Sequence, residues 1–297
     1  MSRGSFVPAL QNAFFDIQAK VTTITMSLKE LIAANTFDHV ETFLNLGEAV
    51  GRLGLYNLFS QKAISYPLHY LCRQSRTPVS TMQSMIRESP PKAFVYWDSA
   101  GQSTPLHLAC WYKLPVDTIL LLLESSQEAL LMEDIDGNLP LHLAAAFHPE
   151  ADRLIEAFLK ARPETAKRRN GKNQMALHSL CTREDIPIQV LKRLLEADSK
   201  AAQLNDRMGR LPIHHACLQK ARIEVMECLL QTYPQSVNVH DHAALTPYGI
   251  VRRRWHWTPK DPRVQLLRKD MIQSSSPAVA VRNQIQFQAR GLVHVVQ

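Results

Sequence analysis

Residues 104–110 read TPLHLAC, from Thr104 to Cys110, and the phrase returns as YPLHYLC (Tyr66 to Cys72), LPLHLAA (Leu139 to Ala145), MALHSLC (Met175 to Cys181) and LPIHHAC (Leu211 to Cys217). Its histidines, His69, His107, His142, His178 and His214, lie 38, 35, 36 and 36 residues apart. A sixth, eroded copy, TPYGIV from Thr246 to Val251, puts Gly249 in the histidine's place 35 residues further on. A fixed period of roughly 20 to 50 residues is the mark of stacked supersecondary units, each burying the apolar face its neighbour cannot hide alone.

The rest of each unit repeats too. Seven to nine residues after a motif histidine stands Pro78, Pro115, Pro149 or Pro187. Proline's fixed φ and missing N–H suit the first position of a helix, so a second helix is predicted to begin there. Its apolar residues recur at spacings of 3 and 4: Val116, Ile119, Leu120 and Leu123 in one unit, Leu154, Ile155, Phe158 and Leu159 in the next, with matching sets at 79–86, 188–195 and 223–230. A polar connection follows, often with a glycine (Gly101, Gly137, Gly171, Gly209) shortly before the next motif. Each unit reads helix, short turn, helix, extended finger.

This pattern resembles the ankyrin repeat, whose T-P-L-H-x-A signature recurs at about 33 residues. The period here is longer by two or three residues, and the motif threonine survives only at Thr104 and Thr246. The resemblance implies an all-α ankyrin-repeat solenoid of helix-turn-helix units with finger loops, five full and one degenerate, over residues 61–272. It also implies that the motif histidines begin the first helices and tie neighbouring units by hydrogen bonds. A threonine to histidine bond within a complete motif is open only to Thr104 and His107. Residues 1–60 are expected to be a helical N-terminal region or cap, with helices near Ser27 to Ala34 and Phe37 to Leu46 and a further segment at Gly47 to Ser60. Pro247 to Trp255, then a helix opened by Asp261 as N-cap and Pro262, are expected to close the other end. Residues 273–297 are expected to form a flexible tail, with strand-like alternation at Val279, Val281, Ile285 and Phe287.

Composition supports a self-sufficient fold. Of 297 residues 45% are apolar, enough to bury a core without disulfides or metal. The densest apolar run, Ile119 to Leu123, is far short of the 18 or so residues of a membrane span. Gln11, Asn12 and Asp16 interrupt any signal-like stretch, and five thinly spread cysteines do not make a secreted disulfide framework, so an intracellular, cytoplasmic or nuclear setting is expected. The net charge of +7 is localised: residues 251–297 hold nine basic and two acidic groups, and the other 250 residues hold 25 of each.

Twelve histidines and five cysteines invite a search for metal or nucleophile chemistry. Cys72, Cys110, Cys181 and Cys217 fall three residues after motif histidines, where the remaining repeat has Ala145. A position that accepts Cys or Ala wants a small core residue. Helices about 8 to 10 Å apart hold such cysteines too far apart for disulfides, and one His and one Cys per layer do not converge on zinc. The pairs His214 with His215 and His240 with His242 read as motif plus helix surface and as finger tip. No phosphate loop, dinucleotide fingerprint or nucleophile elbow is present. No enzyme activity, cofactor or metal is expected.

Function is therefore sought in surfaces. The resemblance implies protein binding through finger tips and the concave face of the first helices. One finger carries Asp134 and Asp136 beside Glu133, and the next carries Lys167, Arg168, Arg169 and Lys172. These tips read either as solvated charge or as a charge register for a partner. Four and five residues after the motif histidine stand Trp111 and Tyr112, then Ala146 and Phe147, where other repeats have Arg73 and Gln74, Thr182 and Arg183, or Leu218 and Gln219. Trp and Tyr are enriched at interface hot spots. Trp111, Tyr112 and Phe147 are thus candidates for a contact patch, the other reading being that the rings pack into the inter-helix turn. Arg252, Arg253 and Arg254, beside Trp255 and Trp257, offer nucleic acid or an anionic surface as the alternative partner, or else a solvated cap helix with cation–π contacts to its own tryptophans. The expected molecule is a monomeric, non-catalytic scaffold or adaptor for a protein partner, residues 1–60 being a possible dock on a larger complex.

Overall fold

Every motif copy folds as the first helix of a unit: α1 (Pro67–Cys72), α3 (Pro105–Trp111), α5 (Pro140–Phe147), α7 (Ala176–Cys181), α9 (Pro212–Leu218) and α11 (Pro247–Trp255). The second helices are α2 (Val79–Glu88), α4 (Val116–Ser125), α6 (Ala151–Ala161), α8 (Ile188–Ala197), α10 (Ile223–Thr232) and α12 (Pro262–Ser274). The structure, a computed structural model, describes residues 67–73, 79–89, 91–95, 97, 102–255 and 260–274. The helices expected in 1–60, Pro78, Gly101, Trp257 and most of the tail lie outside the described residues. Among the described residues there is no strand, and no helix is long and apolar enough to cross a membrane.

First helix packs on first helix and second on second through the stack, which gives an all-α solenoid. The shared core takes Leu106, Leu141, Leu177 and Ile213 from the first helices, and Ile119, Phe158, Leu191 and Met226 from the second. Each is almost wholly removed from water, a gain of about 1.5 to 3 kcal/mol per side chain before entropy is counted. The second helices start one or two residues later than the prolines suggest. Pro115 (ψ 139) and Pro187 (ψ 118) are extended N-caps, and α6 begins after Glu150. An extended ψ turns the chain into the helix without belonging to it, so proline's fixed φ serves the entry here.

The connections between units hold regular structure of their own. Each second helix from α2 to α10 is followed by a single 3-10 turn, at Pro91–Phe94, Gln127–Leu131, Pro163–Lys167, Ser199–Gln203 and Pro234–Asn238. These turns tuck Ala129 and Leu130, Thr165 and Ala166, Ala201 and Ala202, and Ser236 and Val237 against the stack. They are part of the core edge, where a plain extended finger was expected.

Beyond the turns the fingers close on themselves. In four of them an acid or amide eight residues before the motif position accepts two backbone N–H bonds across the tip: Asp134 from Asp136 and Asn138, Asn170 from Lys172 and Gln174, Asp206 from Met208 and Arg210, Asp241 from Ala243 and Leu245. Side-chain closure of this kind fixes a turn that has no neighbouring strand to hold it. Successive tips are joined by one backbone bond each, the N–H of Gly171, Arg207 and His242 donating to the carbonyl of Asp136, Lys172 and Met208. Gly137 and Gly171 make the closest approach possible, since a Cβ on Gly171 would sit 2.4 Å from the Asp136 carbonyl oxygen.

Candidate functional site

The motif histidines are buried and are part of the framework. In His142, His178 and His214 the ring Nδ1 accepts the N–H of Leu139, Met175 and Leu211 at 3.1, 3.2 and 3.1 Å. In His107 it lies 2.8 Å from the Thr104 hydroxyl, which also caps α3. With Nδ1 occupied as an acceptor, Nε2 carries the proton and donates to a finger carbonyl: Asn138, Gln174, Leu204 and Val239 for the four in turn, at 2.9 to 3.1 Å. Burial pushes His142 and His214 down to about 4 and His178 to about 3, and the finger carbonyls only partly oppose it. These rings are neutral struts between helix and finger.

A second set of struts crosses the inter-helix turns on the other side. His148, buried, accepts the Glu150 N–H and donates to the Leu114 carbonyl at 2.9 Å. Arg183 then donates to the His148 carbonyl, Arg222 to that of Ile186, and the Trp255 indole to that of Cys217. Four successive units, those of α5, α7, α9 and α11, thus each supply a side-chain donor to the unit before. His148 stands one residue C-terminal to the positions compared in the sequence, so register alone did not single it out.

The structure corrects the reading of His215 as helix surface. It is buried, its Nε2 lies 2.9 Å from Asp206 and its ring meets His178 edge-on at 6.0 Å. Burial alone would raise the Asp206 carboxyl, but hydrogen bonds from His215, the Arg210 amide and Gln174 outweigh it and hold the group well below the usual carboxylate range. Asp206 is thereby both turn closer and partner to a helix. All five cysteines are free thiols, and burial pushes Cys72, Cys110 and Cys181 far above the ordinary thiol value and Cys217 up to about 12. A thiol so held is not a nucleophile at neutral pH. Among the described residues no three His, Cys, Asp or Glu side chains gather as a metal site.

The aromatic candidates converge. Trp111, Tyr112 and Phe147 are 51%, 39% and 40% exposed, and the Trp111 and Phe147 rings meet edge to face at 4.6 Å. Trp111 and Phe147 end their helices and Tyr112 caps α3, so the three rings sit where the first helices stop. Trp111 and Tyr112 line an open groove of about 240 Å³ together with Leu108 and Leu143 from the first helices and Asp134, Ile135 and Asp136 from the finger. Ile135, 67% exposed at the tip, was not a candidate from sequence, because an isolated apolar residue in a polar loop carries no periodic signal.

The charged candidates divide. Asp136 is exposed in the groove, whereas the Asp134 carboxylate is taken up by the turn, with Asn138 donating to both its oxygens. Lys167, Arg168, Arg169 and Lys172 are exposed but do not line the groove, and Arg168 pairs with Glu133 at 3.0 Å. Arg252, Arg253 and Arg254 are exposed on α11. Arg254 and Lys220 lie 5.3 and 4.0 Å from the Trp255 ring centre, and Arg252 lies 5.9 Å from that of Tyr248. Those cations are already engaged with the molecule's own aromatics.

Residues 141–241 match the family model for ankyrin repeats, in three copies. Residues 141–241 are ankyrin repeats. No curated protein matches it. The matched segment starts at Leu141, in α5, so Trp111, Tyr112 and the Asp136 finger precede it. Ankyrin repeats are generally protein–protein interaction modules.

Proposed function

We propose that this chain is a non-catalytic recognition scaffold or adaptor that binds a protein partner through the groove between α3, α5 and the finger that joins their units. The observation that carries this reading is the exposure of Trp111 and Tyr112 in the groove, with Phe147 against Trp111, at repeat positions that other units fill with polar groups, alanine or leucine. The groove is shallow and below the roughly 300 to 1,000 Å³ of an enclosed small-molecule pocket, which favours side chains offered by a macromolecule. A preformed surface on a packed stack also costs little ordering on binding. The test is affinity capture with the intact chain followed by quantitative mass spectrometry, set against a Trp111→Ala, Tyr112→Ala double variant whose circular dichroism and melting match the parent. Partners that disappear with the double variant support the groove; a partner set unchanged by it removes the reading.

A further inference from the structure

Resting on that reading of the groove, we propose that its occupant is a cationic side chain, arginine above all, on an extended segment of the protein partner. Two rings, Trp111 and Tyr112, and two carboxylates, Asp134 and Asp136, line one small open groove. The two acids play different parts. Asp134 is consumed in closing the turn, its oxygens taking the N–H groups of Asp136 and Asn138 and the Asn138 amide. Asp136 accepts no side-chain hydrogen bond from the described residues. Its backbone is nevertheless pinned, the N–H to Asp134 and the carbonyl to the Gly171 N–H, so its carboxylate is offered from a fixed point.

Trp111 is likewise held, by its edge-on contact with Phe147, and still leaves half its surface to solvent. A pinned carboxylate beside a pinned aromatic face is complementary to a cation, which gains from both the ring quadrupole and the charge. Arginine uses such a site better than lysine, because its planar guanidinium stacks on a ring while its edge meets a carboxylate, and its stem can lie on Leu108 and Ile135. Arg73 also lines the groove, which leaves two carboxylates against one guanidinium and gives phosphate backbones no attraction there.

The experiment measures fluorescence polarisation of three labelled peptide pools, random except for a fixed central Arg-Leu, Gln-Leu or Glu-Leu pair, with the intact chain. The Arg-Leu pool should bind about tenfold more tightly than the Gln-Leu pool. Asp136→Lys, an exposed change that leaves melting unaltered, should reverse the order in favour of Glu-Leu. Equal affinities, or an arginine preference that survives Asp136→Lys, overturn the cation assignment. If any pool then still loses binding in the Trp111→Ala, Tyr112→Ala variant, the groove remains the contact surface. Pools that bind this double variant as well as the parent, or bind neither protein, overturn both readings.

Discussion

At the residue scale the fingers show how one position can be met by different chemistries. The tip residue five before each motif position has a positive φ in five fingers: Gln102 at 47°, Gly137 at 72°, Asn173 at 61°, Gly209 at 73° and Ala244 at 57°. Glycine enters this region freely and asparagine with modest strain, whereas a β-branched or plain Cβ conflicts with its own carbonyl. Ala244 is exposed, so its methyl gains no packing in return. Ala244→Gly should therefore stabilise the protein by about 1 kcal/mol, visible as a rise of about 3 °C in Tm by calorimetry. An unchanged or lower Tm would mean that the tip is not strained there. The same residue-level comparison made Trp111 and Tyr112 legible as candidates before any coordinates, because register aligned them with polar positions. His215 was not legible, since its burial depends on Asp206, whose carboxylate is brought to it by the finger fold.

At the element scale the helices were legible and the connections were not. Amphipathic spacing and the proline-bearing motif locate the helices to within a residue or two. A 3-10 turn is too short to show a period, so the small residues of Pro163–Lys167 or Ser199–Gln203 read as plain linker. The Asx closures at Asp134, Asn170, Asp206 and Asp241 recur with the period of the repeat, but acids and amides in a polar loop look like solvated surface. The finger stack carries its own prediction. Gly171 has no positive φ, so alanine there is conformationally acceptable, yet its Cβ would lie 2.4 Å from the Asp136 carbonyl oxygen. Gly171→Ala should force the two tips apart, remove the Gly171 to Asp136 bond and cost about 1 to 3 kcal/mol. Hydrogen exchange should show the position-171 amide losing protection while amides in α6 and α8 keep theirs. Retained protection at position 171 would refute the contact.

At the scale of the whole molecule, stability is a sum of unit energies and interfaces between neighbours, so a strut repeated in every layer acts as a multiplier. The struts here are neutral histidines. Burial lowers His142 and His214 to about 4 and His178 to about 3, below the ordinary value of 6.5 that the unfolded chain regains. As pH falls through 6.5 the unfolded state takes up protons first, and the folded state follows only near pH 4 to 3. The stabilisation from keeping these rings neutral is thus fully present above about pH 6.5 and is lost as the solution is acidified below it. Each ring contributes a slope approaching about 1.4 kcal/mol per pH unit, so from pH 7 to pH 5 three rings together should remove about 5 kcal/mol. His148, lowered in the same direction by burial, acts with the same sign. The carboxylates held low, Asp206, Asp241 and Asp261, titrate below the ordinary carboxylate range and leave this window to the histidines. Urea unfolding followed by circular dichroism at pH 7, 6 and 5 should show the midpoint falling steeply. His178→Gln, less stable at pH 7, should show a shallower dependence by about a third. A midpoint that stays level from pH 7 to pH 5 would mean that the rings are not buried neutral struts, and with them would fall the account of how one unit grips the next.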